Sequence, residues 1–205
     1  MPVALTAPLH RPAPPQPPRK RWTRAECDTL DATGLWDSKH LELIEGELID
    51  KMGKKRPHVE AAARMLRRLM KMFDEELVYP EAPIHVAPED TPSSEPEPDV
   101  IVLKPEFAGY RAEQPKPGEL DLVVEVADTT LTFDLTVKAA LYARAGIVEY
   151  WVLDLNGRRL IVHREPETGA DRTGVYRSIA AYNENERVAP LAAPDRSLLV
   201  RDVLI

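Results

Sequence analysis

A short apolar run with a carboxylate in its middle constrains the fold of this chain more than any other segment. The run is Leu122-Val123-Val124-Glu125-Val126. Side chains alternate across a β-strand, so Glu125 lies on one face, while the other face is purely apolar and must pack against a helix. A carboxylate within a buried strand is unfavourable unless it is paired or binds a metal. The run therefore predicts a central strand that contributes Glu125 to a polar site.

A second acid stands at the entrance of another apolar run. Pro98-Asp99 precedes Val100-Ile101-Val102-Leu103, which is typical of a buried strand. If these two strands pair in register, the carboxylates of Asp99 and Glu125 project toward one point. Oxygen ligands in an incomplete protein shell suit Mg²⁺ or Mn²⁺, which retain waters. Two carboxylates with a nearby lysine are the groups that metal-assisted phosphodiester cleavage needs.

The lysine is found on the next predicted element. A helix is predicted over residues 131–145, in which Asp134, Lys138 and Tyr142 follow one stripe at i, i+4 and i+8. One interpretation is an exposed Asp134–Lys138 ion pair, worth roughly 0.3–0.5 kcal/mol. The other is that Lys138 joins the two carboxylates. Because the helix directly follows the strand that carries Glu125, the second interpretation is favoured.

Aromatic residues near this set also have two interpretations. Tyr142, Tyr150 and Trp151 could form a platform on which nucleic-acid bases stack. Aromatic residues inside a strand or on a helix stripe are more typical of core packing. Core packing is therefore the favoured interpretation.

Composition limits the class of protein. The 205 residues suit one domain, with 43% hydrophobic residues and a net charge of −7. That charge argues against a general nucleic-acid coat protein but not against a nuclease, in which the local field matters. Cys27 is the only cysteine, which excludes an intrachain disulfide and a cysteine-rich zinc site. No apolar run reaches the ~18–20 residues of a membrane helix, and no secretory signal is evident, so a cytoplasmic protein without membrane contact is expected.

The chain divides into a leader and one domain. Residues 1–21 include seven prolines and predict a disordered leader, with a Pro-x-x-Pro docking peptide as the alternative. Residues 22–205 are expected to form a single domain. Helices are predicted over 23–33, 58–77 and 131–145, and strands over 43–49 (two strands around a glycine turn), 84–86, 100–103, 120–126, 148–153, 160–162 and 175–182. This alternation predicts a mixed α/β or α+β fold.

Charge is distributed unevenly along the chain. Residues 54–71 contain seven Lys or Arg residues and one acid, whereas residues 74–99 contain nine acids and no Lys or Arg. The basic helix is either a phosphate-binding surface beside the metal, to which Arg64 and Arg68 would contribute, or a solvated face that differs in sign from its neighbour.

Several short motifs occur together in one order: Leu43-Ile44-Glu45-Gly46-Glu47, His58, Pro98-Asp99, Glu125-Val126, Asp134-x-x-x-Lys138-x-x-x-Tyr142-x-x-x-Gly146 and Glu149-Tyr150-Trp151. Over about residues 40–165 the chain thereby resembles the Uma family of restriction endonucleases, within the PD-(D/E)xK superfamily. The resemblance implies a restriction-endonuclease-like core, with a central mixed sheet flanked by helices and a divalent metal at the carboxylates.

The resemblance also implies catalytic roles. Asp99 matches the first acid of the motif and Glu125 the second, and both would hold the metal. The usual lysine would fall two residues after Glu125, where this chain has Ala127. In this family the lysine has moved to the following helix, which corresponds to Lys138.

Two further positions match the family. Glu47 is implied as an additional metal ligand, and His58 as a residue that binds phosphate or carries a proton. For His58, a structural contact at the start of a helix is an equally good interpretation.

The sequence therefore predicts a Mg²⁺-dependent (or Mn²⁺-dependent) endonuclease that hydrolyses DNA. Double-strand cleavage needs two active sites, so a homodimer is expected. Two alternatives stay open, because a fold does not guarantee a function. They are a non-catalytic binding or assembly domain on the same scaffold, and a metal-dependent phosphohydrolase of small molecules.

Overall fold

A computed structural model of the chain describes residues 18–34, 41–51, 55–109 and 113–205. Residues 1–17 of the predicted leader lie outside the described residues. None of the helices in the described ranges combines the length and apolar character needed to cross a bilayer.

Ten strands are present in the described residues, and six of them build the central sheet. In chain order they are β1 (Leu41–Ile44), β2 (Glu47–Asp50), β3 (Val78–Pro80), β4 (Val100–Leu103), β5 (Leu120–Ala127), β6 (Glu149–Asp154), β7 (Arg159–Thr168), β8 (Gly174–Asn183), β9 (Arg187–Val188) and β10 (Leu198–Leu199). The central sheet has the order β3-β4-β5-β6-β7-β8, while β1 pairs with β2 and β9 with β10.

The helices are short, except for one. They are α1 (Arg24–Ala32), α2 (Arg56–Leu69), α3 (Leu131–Phe133), a π-helical turn (Asp134–Lys138) and α4 (Ala139–Arg144). Short 3₁₀ turns occur at Glu75–Leu77, Thr91–Ser93, Pro105–Phe107, Pro117–Glu119 and Val200–Asp202. Helix α1 begins with the capping box of Thr23 and Glu26 that its sequence predicts.

The middle of the sheet contains its one parallel pair, β5 with β6. Parallel neighbours need a crossover, and α3, the π-helical turn and α4 provide it. The other pairs of the central sheet are antiparallel, including the hairpin of β6 and β7 predicted from Asn156-Gly157. Strand β6 is buried at every position, as parallel strands covered on both faces are. The mixed α+β architecture predicted from the sequence is confirmed.

The strand predicted over residues 84–86 is not present. The amide of Ile84 donates to Pro96 O (3.0 Å) and that of His85 to Pro115 O (2.9 Å). Consecutive residues thus bond to two different segments, so no ladder forms. The edge strand of the sheet is instead β3, which ends at Pro80. Proline is tolerated in an edge strand because the backbone N–H that it lacks would point to solvent and not to a neighbouring strand.

The periodicity predicted a helix that ends at residue 77, but helix α2 ends at Leu69. In the turn that follows, some hydrogen bonds join residues three apart instead of four; the Met72 amide, for example, donates to the Leu69 carbonyl at 2.8 Å. This turn redirects the chain so that Leu77 is buried and Val78 enters the sheet opposite Val102. The sheet pairing therefore overrides the local helical pattern.

Gly174 lets α4 lie directly on β8. A Cβ at this position would stand 2.1 Å from Ala140 O and 2.7 Å from Arg144 N. We expect Gly174→Ala to reduce the free energy of unfolding by about 1–3 kcal/mol, because the helix backbone must move to relieve the overlap. Urea denaturation measures this loss. In Gly118→Ala, where nothing lies within 4 Å, we expect a change below about 0.5 kcal/mol; equal effects in both variants would contradict the packing argument.

Candidate active site

A cavity of about 310 Å³ opens beside β5, between β1, the start of α2 and the π-helical turn. Acidic side chains and one buried lysine dominate its inner wall. The cavity residues used below are Glu42, Lys51, His58, Glu97, Asp99, Glu125, Asp134 and Lys138.

Asp99 is held at the start of β4 by the neighbouring strand. Its Oδ2 accepts a hydrogen bond from the Val126 amide at 2.8 Å, because β4 pairs with β5 in antiparallel register. The His58 Nε2 of α2 lies 3.2 Å from the same oxygen. The Nδ1 of His58 is buried without a hydrogen-bond partner in the described part of the chain. Strand pairing and a helix-start histidine thus orient this carboxylate together.

Glu125 lies in the middle of β5, as predicted, and two donors meet on one of its oxygens. Lys138 Nζ lies 2.8 Å from Oε1, and the hydroxyl of Tyr142 donates to the same atom at 2.9 Å. Lys138 comes from the π-helical turn and Tyr142 from α4. The crossover that connects β5 to β6 therefore packs both donors against β5.

Glu42 is the site residue that sequence reasoning missed. Lys138 Nζ lies 2.9 Å from its Oε1, and the Glu97 amide donates to the same oxygen at 2.8 Å. The side chain is buried on β1. Its signal was an acid inside the short apolar run Leu41-Glu42-Leu43-Ile44, the same pattern that identified Glu125.

Asp134 completes the buried acidic group. Its Oδ2 accepts from the Thr130 hydroxyl at 2.5 Å, and Tyr150 donates to its backbone carbonyl at 3.1 Å. Asp134 and Lys138 are only 3% and 5% exposed. The interpretation of these residues as a solvent-exposed ion pair is therefore wrong.

Burial and charge act in opposite directions on the cluster. Burial raises the pKa of Glu125; the Lys138 ammonium opposes this, and nearby acids such as Asp99 add to it. Burial also raises the pKa of Asp134. For Lys138 burial would lower the pKa, but the carboxylates of Glu125 and Glu42 outweigh it and raise the pKa above its usual value. The lysine is thus a stable ammonium with carboxylate neighbours.

Glu47, predicted as a metal ligand, does not reach this cavity. It begins β2 at the turn end of the β1–β2 hairpin, opposite Ile44. Its carboxylate is 46% exposed and lies 3.0 Å from Arg21 Nη1. The hairpin instead directs Glu42, near its open end, into the cluster, so Glu42 replaces Glu47 in the candidate set.

Arg64 and Arg68 also lie away from the cavity. Arg64 Nε contacts Glu60 Oε1 at 2.9 Å, and Arg68 Nη2 contacts Asp202 Oδ2 at 3.0 Å. Both line a separate cleft. Of the three residues predicted to bind substrate, the structure places His58 alone at the acidic cluster.

The aromatic residues belong to the core. Tyr142, Tyr150 and Trp151 are all fully buried. The rings of Tyr142 and Tyr150 pack edge to face with centroids 5.0 Å apart, and Trp151 Nε1 donates to Glu149 at 2.9 Å. The core-packing interpretation is confirmed, and a base-stacking platform is excluded.

The donor chemistry of the cluster fits a hard divalent cation. Among its side chains that are 6% exposed or less, four carboxylates accompany a single ammonium. Across the residues that the structure describes, no group of three or more His, Cys, Asp or Glu side chains is arranged to hold a metal ion. Mg²⁺ is usually held by one or two carboxylates and keeps several waters. Asp99 and Glu125 are two such carboxylates, and both line this cavity.

Comparison with known proteins places the chain in a family. Residues 29–201 match the family model Uma2, described as "Putative restriction endonuclease". The chain belongs to the Uma2 family. The resemblance drawn from the motifs is thereby confirmed. No curated protein sequence matches the chain.

The fold of this chain is also seen in a solved structure. The chain is similar to a putative nuclease belonging to DUF820 from Anabaena variabilis ATCC 29413, with a TM-score of 0.61 and 14% sequence identity. The match covers 84% of this chain and 94% of that chain. At this identity the match concerns the fold, and the predicted restriction-endonuclease-like core is confirmed.

Replacing Lys138 by methionine tests whether the buried ammonium holds the cluster of this Uma2 protein together. The variant leaves Glu42 and Glu125 without their shared cation, so we expect a loss of about 3–5 kcal/mol of unfolding free energy at pH 8. Because burial raises the pKa of Glu125, its protonation favours the folded state. We therefore expect a smaller loss at pH 5, and urea unfolding at both pH values measures the difference.

Lys51→Met is the matched control at the same cavity. Lys51 Nζ lies 2.8 Å from Glu97 Oε2, but this pair is more exposed than the Lys138 pairs. We expect a loss within about 1 kcal/mol that is similar at both pH values. Equal losses in the two variants would count against a special role for the buried ammonium.

Proposed function

We propose that this protein is a metal-dependent endonuclease that hydrolyses phosphodiester bonds of DNA. The observation that supports the proposal is the convergence of Asp99, Glu125 and Lys138 from two strands and a crossover helix at one cavity. The Uma2 membership supports the nuclease class. These residues are the proposed catalytic set.

Asp99 and Glu125 are the proposed ligands of Mg²⁺ or Mn²⁺, with Glu42 adding negative charge beside them. A bound ion would polarise the scissile phosphate and lower the pKa of a bound water. The protein's own part is to keep both carboxylates oriented. The amide of Val126 fixes Asp99, and Tyr142 fixes Glu125.

Lys138 is the residue proposed to stabilise the transition state electrostatically. Its ammonium is a compact charge that can stabilise the negative charge developing on the phosphate. The contacts with Glu42 and Glu125 hold it in place, so little reorganisation is needed when substrate binds. His58, against Asp99, is proposed to orient that carboxylate and to contact phosphate.

The proposal includes the setting expected from the sequence. A homodimer would bring two such cavities to one duplex, as double-strand cleavage requires. A cytoplasmic location is proposed with it.

The proposal predicts that Asp99→Asn nearly abolishes DNA cleavage. The amide keeps the shape of the side chain but removes the ligand charge, so we expect at least about a 100-fold loss of rate. Nicking of supercoiled plasmid with Mg²⁺ or Mn²⁺ measures the rate, and EDTA should stop it.

Glu47→Gln provides the matched control for this assay. It also converts an acid to its amide, but at the exposed position beside Arg21. We expect unchanged nicking and an unchanged circular dichroism melt. If Asp99→Asn retains wild-type nicking activity, the assignment of Asp99 as a catalytic metal ligand is wrong.

Titration with Mn²⁺ separates the endonuclease from the two alternatives. We expect calorimetry to detect binding in the wild type and at least about tenfold weaker binding in Glu125→Gln, because a ligand charge is lost. Lack of binding would support a non-catalytic scaffold. Binding without DNA cleavage, but with hydrolysis of a small phosphodiester, would support the phosphohydrolase alternative.

A further inference from the structure

We infer that a second surface, on the outer side of α2, binds the phosphate backbone of DNA. This inference rests on the proposed function, because it takes DNA as the substrate. The surface is a cleft of about 440 Å³, and we call it the basic cleft. Its lining residues are Arg64, Arg67, Arg68, Lys71, Arg201 and Asp202.

The basic cleft is built on one helix stripe. Arg64, Arg67 and Arg68 lie within α2, and Lys71 lies just beyond its end. Their spacing of i, i+3, i+4 and i+7 places them on one side of the helix. The neighbouring face of the helix includes Met65, which is fully buried. The cations therefore face outward together while α2 packs on the sheet.

Two of the arginines are held in position by the protein. Arg64 donates through Nε to Glu60 Oε1 at 2.9 Å and through Nη1 to the Leu204 carbonyl. Arg68 Nη2 lies 3.0 Å from Asp202 Oδ2. A guanidinium has five N–H donors, and the two bonds of Arg64 use two of them. Such anchored guanidinium groups lose little side-chain entropy on binding phosphate.

The charge and length of the cleft match an extended polyanion. The whole chain has a net charge of −7, yet five cations line this cleft together with Asp202. Glu60, beside the cleft, pairs with Arg64 at 2.9 Å and with Arg67 at 3.6 Å, so the cations still outnumber the acids by five to two. From Arg64 to Lys71 the helical rise gives about 10 Å. Phosphates of one DNA strand are spaced about 3.4 Å along the duplex axis, so this length covers about three of them.

Helix α2 also joins the basic cleft to the candidate active site. His58, near the helix start, contacts Asp99 in the acidic cavity. Arg64 lies six residues further, about 9 Å along the helix axis. The cleft therefore contacts DNA away from the scissile phosphate. It contributes to affinity and not to the chemical step.

The test measures DNA binding in EDTA, where no metal-dependent cleavage takes place. Wild type and the double variant Arg67→Gln/Lys71→Gln are titrated into a fluorescein-labelled 20-bp duplex at 50–200 mM KCl, with anisotropy as the readout. We expect about a tenfold higher Kd at 50 mM KCl in the variant. We also expect the slope of log K against log salt to be shallower by about two, because two phosphate contacts are lost.

A matched double variant, Lys104→Gln/Arg177→Gln, removes the same charge elsewhere. Lys104 contacts the Gly118 carbonyl and Arg177 contacts Glu167, both outside the cleft. We expect its Kd to stay within twofold of the wild type. Arg201→Gln, on a different element of the cleft, should weaken binding in the same direction as Arg67→Gln/Lys71→Gln.

Three results would overturn the inference. They are an unchanged Kd in Arg67→Gln/Lys71→Gln, an equal loss in the matched variant, and retained DNA binding with loss of binding to phosphatidylserine vesicles. The last result would assign the cleft to a membrane surface. Circular dichroism melts check that each variant is folded.

Cleavage kinetics separate the failure of this inference from the failure of the proposed function. We expect Arg67→Gln/Lys71→Gln to raise KM about tenfold and leave kcat unchanged. Cleavage with an unchanged KM overturns the basic cleft and leaves the endonuclease intact. If DNA binding depends on the basic cleft but the protein never cleaves DNA, the DNA-binding inference is supported and the endonuclease proposal is rejected.

Discussion

The Lys138 ammonium, buried between two carboxylates, is the interaction on which the rest of this structure depends. It joins Glu42 of the small hairpin to Glu125 of the central sheet. Neither carboxylate could stay buried at low cost without a cation, because desolvation disfavours an isolated charge. One amine therefore fixes the position of the hairpin, the crossover helix and the central strand relative to one another.

The sheet provides the frame for this cluster. The parallel pair of β5 and β6 requires a crossover, and that crossover carries Lys138 back across the strand that precedes it. The antiparallel pair of β4 and β5 sets Asp99 against the backbone of Val126. The buried carboxylates outnumber the single ammonium, which is the charge balance that a divalent cation would complete.

Two buried glutamates show how far sequence reasoning reaches. Glu149, like Glu125, is an acid in an apolar strand, and it is fully buried. It accepts bonds from Trp151 and Arg164 and from the amide of Leu191, which satisfy both of its oxygens. Alternation along a strand predicts that such an acid is buried. Whether it is a structural acceptor or lines a cavity depends on partners that are distant in the chain.

The sequence by itself determined five of the six central strands, the β6–β7 hairpin and the crossover helix, because periodicity and turn residues act locally. The prediction that Asp99, Glu125 and Lys138 form one set also depended on the order of the family motifs. Only the tertiary structure decided that Glu42 and not Glu47 joins the cluster, and that residues 84–86 form no strand. It also decided that Arg64 and Arg68 face a separate cleft. These outcomes depend on the direction in which a hairpin or a helix packs against the sheet, and long-range contacts set that direction, whereas local patterns do not encode it.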